Sequence, residues 1–169
     1  HIEIEDAPSE LSKLYTRLAY SYQALGNFIK ARENYEKAIE LNPNYWNTFN
    51  NYAYFHMKVG DLKTAEDMFK ANIQRAPNVP NVYHSMGEFY QKSGKYDEAI
   101  DYFDSSIERD STYAISHYNL GQIYEEREND LFFEYYLKAA ELNNKDAKRW
   151  VKKNKKLIDE HENKSKITP

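Results

Sequence analysis

The apolar positions of this chain fall into short runs with a 3- and 4-residue spacing, most of them closed by glycine, asparagine or proline. From Leu11, the series Leu11, Leu14, Tyr15, Leu18, Ala19, Tyr22 and Leu25 traces one face of a helix. Gly26-Asn27 ends it, as a left-handed residue after a helix commonly does. Phe28, Ala31, Tyr35, Ala38, Ile39 and Leu41 trace a second helix. It stops at Asn42-Pro43, because proline disfavours helical geometry in the residue before it. The same pattern predicts helices near 45–59, 62–75, 79–92, 96–109, 113–128 and 130–142. Gly60-Asp61 and Gly94-Lys95 serve as turns, Pro77 closes the second pair, and Asp110-Ser111 closes the third without a proline. Residues 1–8 read as a frayed lead-in, in which Asp6 or the following Ser9 can cap the first helix and Pro8 is tolerated in its first turn.

The pattern recurs, and a period of 20–50 residues decides the architecture. Tyr83, Met86, Gly87, Gly94, Ala99 and Phe103 fall, 34 residues earlier, on Phe49, Tyr52, Ala53, Gly60, Ala65 and Phe69. A second step of 34 reaches Tyr15, Leu18, Ala19, Gly26, Ala31 and Tyr35. The repeats then span 9–45, 46–79 and 80–113, with a degenerate fourth over 114–144. Ala114, His117, Leu120, Gly121 and Tyr124 keep register in the fourth. Lys138-Ala-Ala-Glu-Leu-Asn, however, matches Lys37-Ala-Ile-Glu-Leu-Asn only with one residue deleted around Glu126–Asp130. The turn glycine is lost, and Phe132 takes the slot of Ala31, Ala65 and Ala99. Those alanines are expected where the two helices of a unit cross, so Phe132 must fill the space above Gly121 or splay the pair. Residues 145–160 read as one capping helix, with Ala147, Trp150, Val151, Leu157 and Ile158 on one side and lysines largely on the others. Residues 161–169 have no usable periodicity and read as a disordered tail.

These offsets resemble the tetratricopeptide repeat (TPR). The first unit carries Tyr15, Leu18-Ala19, Tyr22, Gly26, Phe28, Ala31, Tyr35, Ala38 and Pro43, and the third carries Tyr83, Met86-Gly87, Tyr90, Gly94, Tyr96, Ala99, Phe103 and Ser106. The second departs at His56, Asn72 and Arg75. The resemblance covers about residues 11–144. It implies an all-α, right-handed solenoid of helical hairpins with a C-terminal capping helix, whose first helices line a concave groove that binds partner proteins or peptides. Phe69–Tyr90, with Asn72-Ile73, Pro77, Pro80-Asn-Val-Tyr and Ser85-Met-Gly-Glu, is also similar to TPR tails that follow the catalytic domain of some bacterial serine hydrolases and esterases. That similarity implies an alternative role as an accessory or dimerisation module of a larger enzyme.

Composition adds constraints. An apolar content of 41% is too rich for a disordered chain, and the 16 tyrosines suit thin layers where a ring packs while its hydroxyl reaches water. No run of about 18 apolar residues predicts a membrane span, and no signal peptide is visible. The absence of cysteine removes disulfides, thiolate zinc sites and a cysteine nucleophile, and leaves the compartment open. The net charge of −4 combines an acidic body with a basic tail: residues 1–144 carry 14 Lys/Arg against 23 Asp/Glu, and 145–169 carry 9 against 4. The lysines of 148–156 read as a solubilising face rather than a nucleic-acid stripe, since no basic stripe continues along the repeats.

With a helical period of 3.6, the groove should be lined by fixed offsets of each first helix. These are Lys13, Thr16, Arg17, Tyr20 and Gln23; Asn47, Asn50, Asn51, Tyr54 and Lys58; Asn81, His84, Ser85, Glu88 and Gln91; and Ile115, Tyr118, Asn119, Gln122 and Glu125. Asparagine offers a donor and an acceptor to a peptide backbone, and the tyrosines add flat amphipathic contact area. The five-residue carboxylate clamp of chaperone-tail-binding relatives is matched only at Asn51, so acidic chaperone C-termini are not expected to bind. No HExxH, GxSxG or GxxxxGK[ST] is present, and the histidines do not cluster at metal-ligand spacing. His56 and His117 are expected in packing, and Glu125-Glu126-Arg127-Glu128 on a solvated helix end. The expectation is a non-catalytic scaffold with no cofactor or metal, an unidentified protein or peptide partner and no nucleic acid. A homodimer is a further reading, because the Leu11–Leu25 helix has no cap of its own.

Overall fold

The computed structural model describes residues 7–165, and side chains within 7–163. Asp6 and most of the lead-in lie outside the described residues, as do 166–169 of the tail. The described chain is helical and divides into two compact units, His1–Pro77 and Asn78–Pro169. In the first unit, α1 (Ala7–Ala24) pairs with α2 (Phe28–Leu41), and α3 (Trp46–Lys58) with α4 (Leu62–Arg75). In the second, α5 (Pro80–Lys92) pairs with α6 (Tyr96–Arg109), and α7 (Ala114–Glu126) with α8 (Leu131–Glu141). Two further helices, α9 (Lys145–Lys153) and α10 (Lys155–Ser165), follow, with α9 against α8.

Each hairpin turns the same way. Gly26, Gly60 and Gly94 have φ of +77°, +86° and +72°, where an L side chain is strained. The turn residue donates its N–H three residues back and the next residue donates five back, as Gly26 to Gln23 and Asn27 to Tyr22. In the fourth hairpin the glycine is replaced but the turn is kept. Glu128 takes φ +53° and donates to Glu125, while Asn129 donates to Tyr124. Asn27 and Asp61 then cap the helices that follow, accepting from the backbone N–H of Lys30 and Thr64 at 3.1 and 3.2 Å. At Asp110, where the proline is missing, the carboxylate accepts from the Thr112 N–H and hydroxyl, and these bonds hold it below the usual carboxylate range.

The core of a hairpin is a ring seated on a small residue. A Cβ added to Gly87 would stand 2.6 Å from the Phe103 ring, and one added to Gly121 would stand 2.8 Å from the Tyr136 ring. Ala19, Ala31, Ala53, Ala65 and Ala99 are fully buried. The ring over Gly121 is therefore Tyr136 and not Phe132. From Gly87 to Phe103 is 16 residues and from Gly121 to Tyr136 is 15, whereas the turn residues 94 and 128 keep the spacing of 34. The deleted residue thus falls at the start of α8, where Phe132 and Phe133 donate only three residues back, to Asn129 and Asp130.

The capping segment differs from the expectation of one helix over 145–160 and a disordered tail. It breaks at Asn154, whose side-chain amide donates to the Trp150 carbonyl at 2.9 Å beside its own N–H, competing locally with the helical ladder. The chain then continues as helix through Ser165. Trp150 stacks on Tyr136 with centroids 4.3 Å apart and meets Phe132 and Phe133 edge-on at 5.8 and 6.1 Å. Glu125, expected to line a groove, accepts instead from Trp150 Nε1 at 3.0 Å and from the Tyr136 hydroxyl at 2.6 Å, tying the cap to the fourth hairpin.

These contacts set opposite signs for two substitutions. Gly87→Ala should lower stability by about 1–2 kcal/mol, because overpacking costs roughly 1–3 kcal/mol and helix propensity returns at most about 1. Glu128→Gly should raise it by about 0.5–1 kcal/mol by relieving the left-handed strain. Denaturant midpoints of the two variants check both signs.

Candidate functional site

The expected lining residues separate into a surface group and a buried group. In the first unit, a cleft of about 580 Å3 lies between α1 and α3 and is walled by Lys13, Thr16, Arg17, Tyr20, Asn47 and Asn51, with Glu10, Leu14, Ser21 and Tyr45 completing it. Thr16 closes the floor. Its hydroxyl lies 2.6 Å from that of Thr48 and donates to the Ser12 carbonyl one turn back. Asn51 donates to Asn47 Oδ1 at 2.9 Å, which leaves Asn51 Oδ1 and the Asn47 amide N–H groups for a ligand. Tyr20 is 60% exposed, and Arg17 is exposed with no carboxylate partner among the described residues. Lys13, by contrast, pairs with Glu10. The cleft therefore offers one unpaired cation, two tyrosines, an amide pair and the exposed side chain of Leu14.

Leu14 and Leu18 are exposed, whereas the residues one repeat on, Thr48 and Tyr52, are buried beneath the first hairpin's helices. The same positions of the fourth repeat, Ser116 and Leu120, are also buried. An apolar strip of α1 thus borders the cleft.

Besides Thr16 on the cleft floor and Gln23, four expected lining residues do not reach the surface. Asn50, His84, Ser85 and Asn119 are buried, Ser85 to 1% exposure. They point into the packing between helices, where Asn50 accepts from Asn72 Nδ2 and Ser85 Oγ has no partner among the described residues. Of the others, Lys58, Ile115, Gln122 and Glu125 are exposed, while Tyr54, Asn81, Glu88, Gln91 and Tyr118 are half-buried. Tyr54 lies edge-on to Phe69 at 5.1 Å, and Asn81 donates to the Tyr113 hydroxyl at 2.8 Å. Tyr118 packs 5.6 Å from Tyr136 and accepts from the exposed Gln122.

His84 occupies the most polar interior of the second unit. Its Nδ1 is 3.1 Å from Ser116 Oγ, and its Nε2 is 3.9 Å from Glu88. The order serine, histidine, carboxylate is that of a hydrolytic triad, but the hydrogen bonds run the wrong way. The Ser116 hydroxyl donates to Ser106 at 2.9 Å, so it accepts from His84 and is not activated by it. Ser116 is also fully buried, where no substrate meets it. His84 is a packing residue, seated against Phe103 and Tyr113. The other inner histidines are likewise held in packing: His56 lies against Tyr52 and within 3.1 Å of Asp61, and His117 is bonded to the Ser111 carbonyl.

Residues 12–45 and 34–67 match two family models described as tetratricopeptide repeat, and residues 87–127 match a third described as TPR repeat. No curated protein matches the sequence. Among solved structures, the chain is similar to the crystal structure of MamA, at 21% identity over 81% of each chain with a TM-score of 0.65. It is similar to PilF of Pseudomonas aeruginosa at 21% identity, over 80% of this chain and 63% of that one, with a TM-score of 0.72. It is also similar to a chain of the APC/C hetero-tetramer Cut9–Hcn1, at 18% identity over 83% of this chain and 29% of that one, with a TM-score of 0.67. At such identities the likeness is one of fold: these neighbours are solenoids of helical hairpins.

Burial, opposed by Glu88 and assisted by Lys92, holds the His84 imidazole below its ordinary range. The unfolded chain therefore takes up this proton first. The stability contributed by the neutral ring is complete above the ordinary histidine pKa of 6.5 and is lost as pH falls through the lower folded value. Denaturant midpoints taken from pH 7.5 to pH 5 should fall more for the wild type than for His84→Gln.

Proposed function

We infer the role of this chain from its family and its cleft: it belongs to the tetratricopeptide repeats, whose helical hairpins serve as protein-interaction scaffolds. It binds an extended segment of a protein partner in the α1–α3 cleft, and it does so without catalysis. The observation that carries this reading is the set of polar groups in the cleft that the fold itself leaves unengaged. Arg17 has no carboxylate partner among the described residues, and the Asn47–Asn51 pair keeps one acceptor and one amide beyond its own bond. Such amides suit an extended backbone, which presents alternating N–H and C=O groups. Tyr20 and Tyr45 provide rigid contact area at low entropic cost, and Leu14 provides an apolar seat. The fitting segment has a carbonyl or carboxylate opposite Arg17 and an apolar side chain over Leu14.

Binding chemistry also agrees with the environment of the titratable groups. The inner histidines are committed to packing, and no helix among the described residues is long and apolar enough to cross a membrane.

Capture of an immobilised library of extended decapeptides tests this. The variant Arg17→Ala/Tyr20→Ala/Asn51→Ala should retain the helical circular dichroism of the wild type, since Arg17 and Tyr20 are exposed. Its capture should fall by roughly tenfold or more, as loss of central aromatic and arginine contacts usually produces. Equal capture by the folded variant would sink the proposal.

A further inference from the structure

The hairpin turns share a backbone shape but differ in the side chains beside it. In the first unit, Leu25, Phe28 and Ile29 flank the first turn, and Val59 and Leu62 flank the second. All five are exposed, Leu25 to 81% and Ile29 to 75%. Phe28 joins the two turns. Its ring meets Phe55 of α3 edge-on at 6.1 Å, and Lys58 Nζ lies 6.0 Å from its centroid. Two neighbouring turns thus make one apolar edge, of the kind that marks an interaction surface. Stacking of a further hairpin in the repeat register would not bury such an edge, because Val59 and Leu62 stay exposed although the first hairpin packs before theirs.

The fold does not require this edge to be apolar. In the third repeat the places of Leu25, Phe28 and Ile29 hold Ser93, Tyr96 and Asp97, and in the fourth the place of Leu25 holds Arg127. The edge of the second unit is polar and closed on itself. Arg127 pairs with Asp97 at 2.8 Å, and the Tyr96 hydroxyl donates to Glu126 at 2.8 Å.

Cations rim the apolar edge. Residues 24–32 carry Lys30 and Arg32 and no acid, and residues 57–64 carry Lys58 and Lys63 with Asp61. Asp61 is committed to its own hairpin, accepting from the Thr64 N–H and facing His56. The four cations are exposed, and none has a carboxylate partner among the described residues. Lys30 and Arg32 lie over the rings of Tyr22 and Phe55 instead. This is basic ground on a body, residues 1–144, in which 23 Asp/Glu outnumber 14 Lys/Arg.

We propose that this edge docks on an anionic lipid surface. Leu25 and Ile29 enter the interface, and Lys30, Arg32, Lys58 and Lys63 meet the headgroup phosphates. Side chains that project from turns offer a partner no groove to fill, but they can themselves enter a fluid layer and lose their contact with water. The lysine stems are long enough to pass apolar neighbours while the ammonium stays at headgroup level. Apolar insertion and basic attraction are each weak alone and hold a surface together. A second copy placed edge to edge would bring two sets of unpaired cations together, which like charge opposes. The edge shares no residue with the α1–α3 cleft and does not depend on it.

The test is cosedimentation of the full chain with vesicles of phosphatidylcholine alone and of phosphatidylcholine and phosphatidylglycerol in equal parts. The chain should partition onto the mixed vesicles, much less onto phosphatidylcholine, and less again as salt is raised. Leu25→Glu/Ile29→Glu should lower the partition roughly tenfold or more, since two apolar side chains no longer enter the interface. Lys30→Gln/Lys63→Gln should lower it about fivefold for each cation removed. Both variants change exposed side chains and should keep the wild-type circular dichroism. The emission of Ile29→Trp should shift to the blue on mixed vesicles beyond that of the wild type. The proposal is overturned if mixed vesicles bring down no protein, if both vesicles bind equally, or if the folded Leu25→Glu/Ile29→Glu variant binds as the wild type does. It is also overturned if sedimentation velocity shows that the edge joins copies of the chain, with the wild type self-associating and that variant remaining a monomer.

Discussion

The structure depends on the close approach of two helices at a residue with little or no side chain. Where Phe103 lies on Gly87 and Tyr136 on Gly121, a ring rests against the opposing backbone, and even a methyl group would collide with it. Such a contact fixes both the separation of the helices and their register, because the ring must meet one particular turn of its partner. The connection is then obliged to be short, and the left-handed residue with its two back-donated N–H groups is a compact way to make it. Orientation of every outward side chain follows from that register. The α1–α3 cleft is a consequence of helices locked by their small residues.

A hairpin stack of this kind has little depth, and its tyrosines show how that is managed. Tyr35 is fully buried yet donates to Gln23, and Tyr136 reaches Glu125. Burial pushes both phenols far above their usual range, and pushes those of Tyr52 and Tyr135 up to about 12. These groups stay neutral donors at any physiological pH, so the layers are held by polar ends as well as by rings. The polar network His84–Ser116–Ser106 works in the same way, joining three helices of the second unit through hydroxyls and an imidazole.

That habit explains which parts of the molecule could be read from the amino-acid order. The hairpins were legible because glycine and alanine at a spacing of 34 mark crossing points and turns by geometry alone. On the cleft, periodicity found Arg17, Tyr20, Asn47 and Asn51, but it also chose Asn50, His84, Ser85 and Asn119, which are buried. Each of these lies next to, or one helical turn from, a residue on the chosen face, and polarity gave no reason to assign it to the interior. Asn50 and His84 are buried against polar groups of other helices, Asn72 and Ser116, and no pattern within one helix announces such partners. Glu125 misled for the same reason, since its partner Trp150 is 25 residues away on the cap.

The fourth hairpin shows how one missing residue can have several structural effects. Removing a residue from the start of α8 turns the rest of that helix by about 100° relative to the connection. Tyr136 still reaches Gly121, which holds the hairpin together. Phe132 and Phe133 are left facing the segment that follows, where Trp150 and His161 pack against them. In that register Lys138 and Leu142 fall on Lys37 and Leu41 of the first hairpin. The surface that seats the cap therefore originates at the missing residue. In a repeat protein the regular positions serve packing, so the places that break the repeat are where a chain acquires contacts of its own.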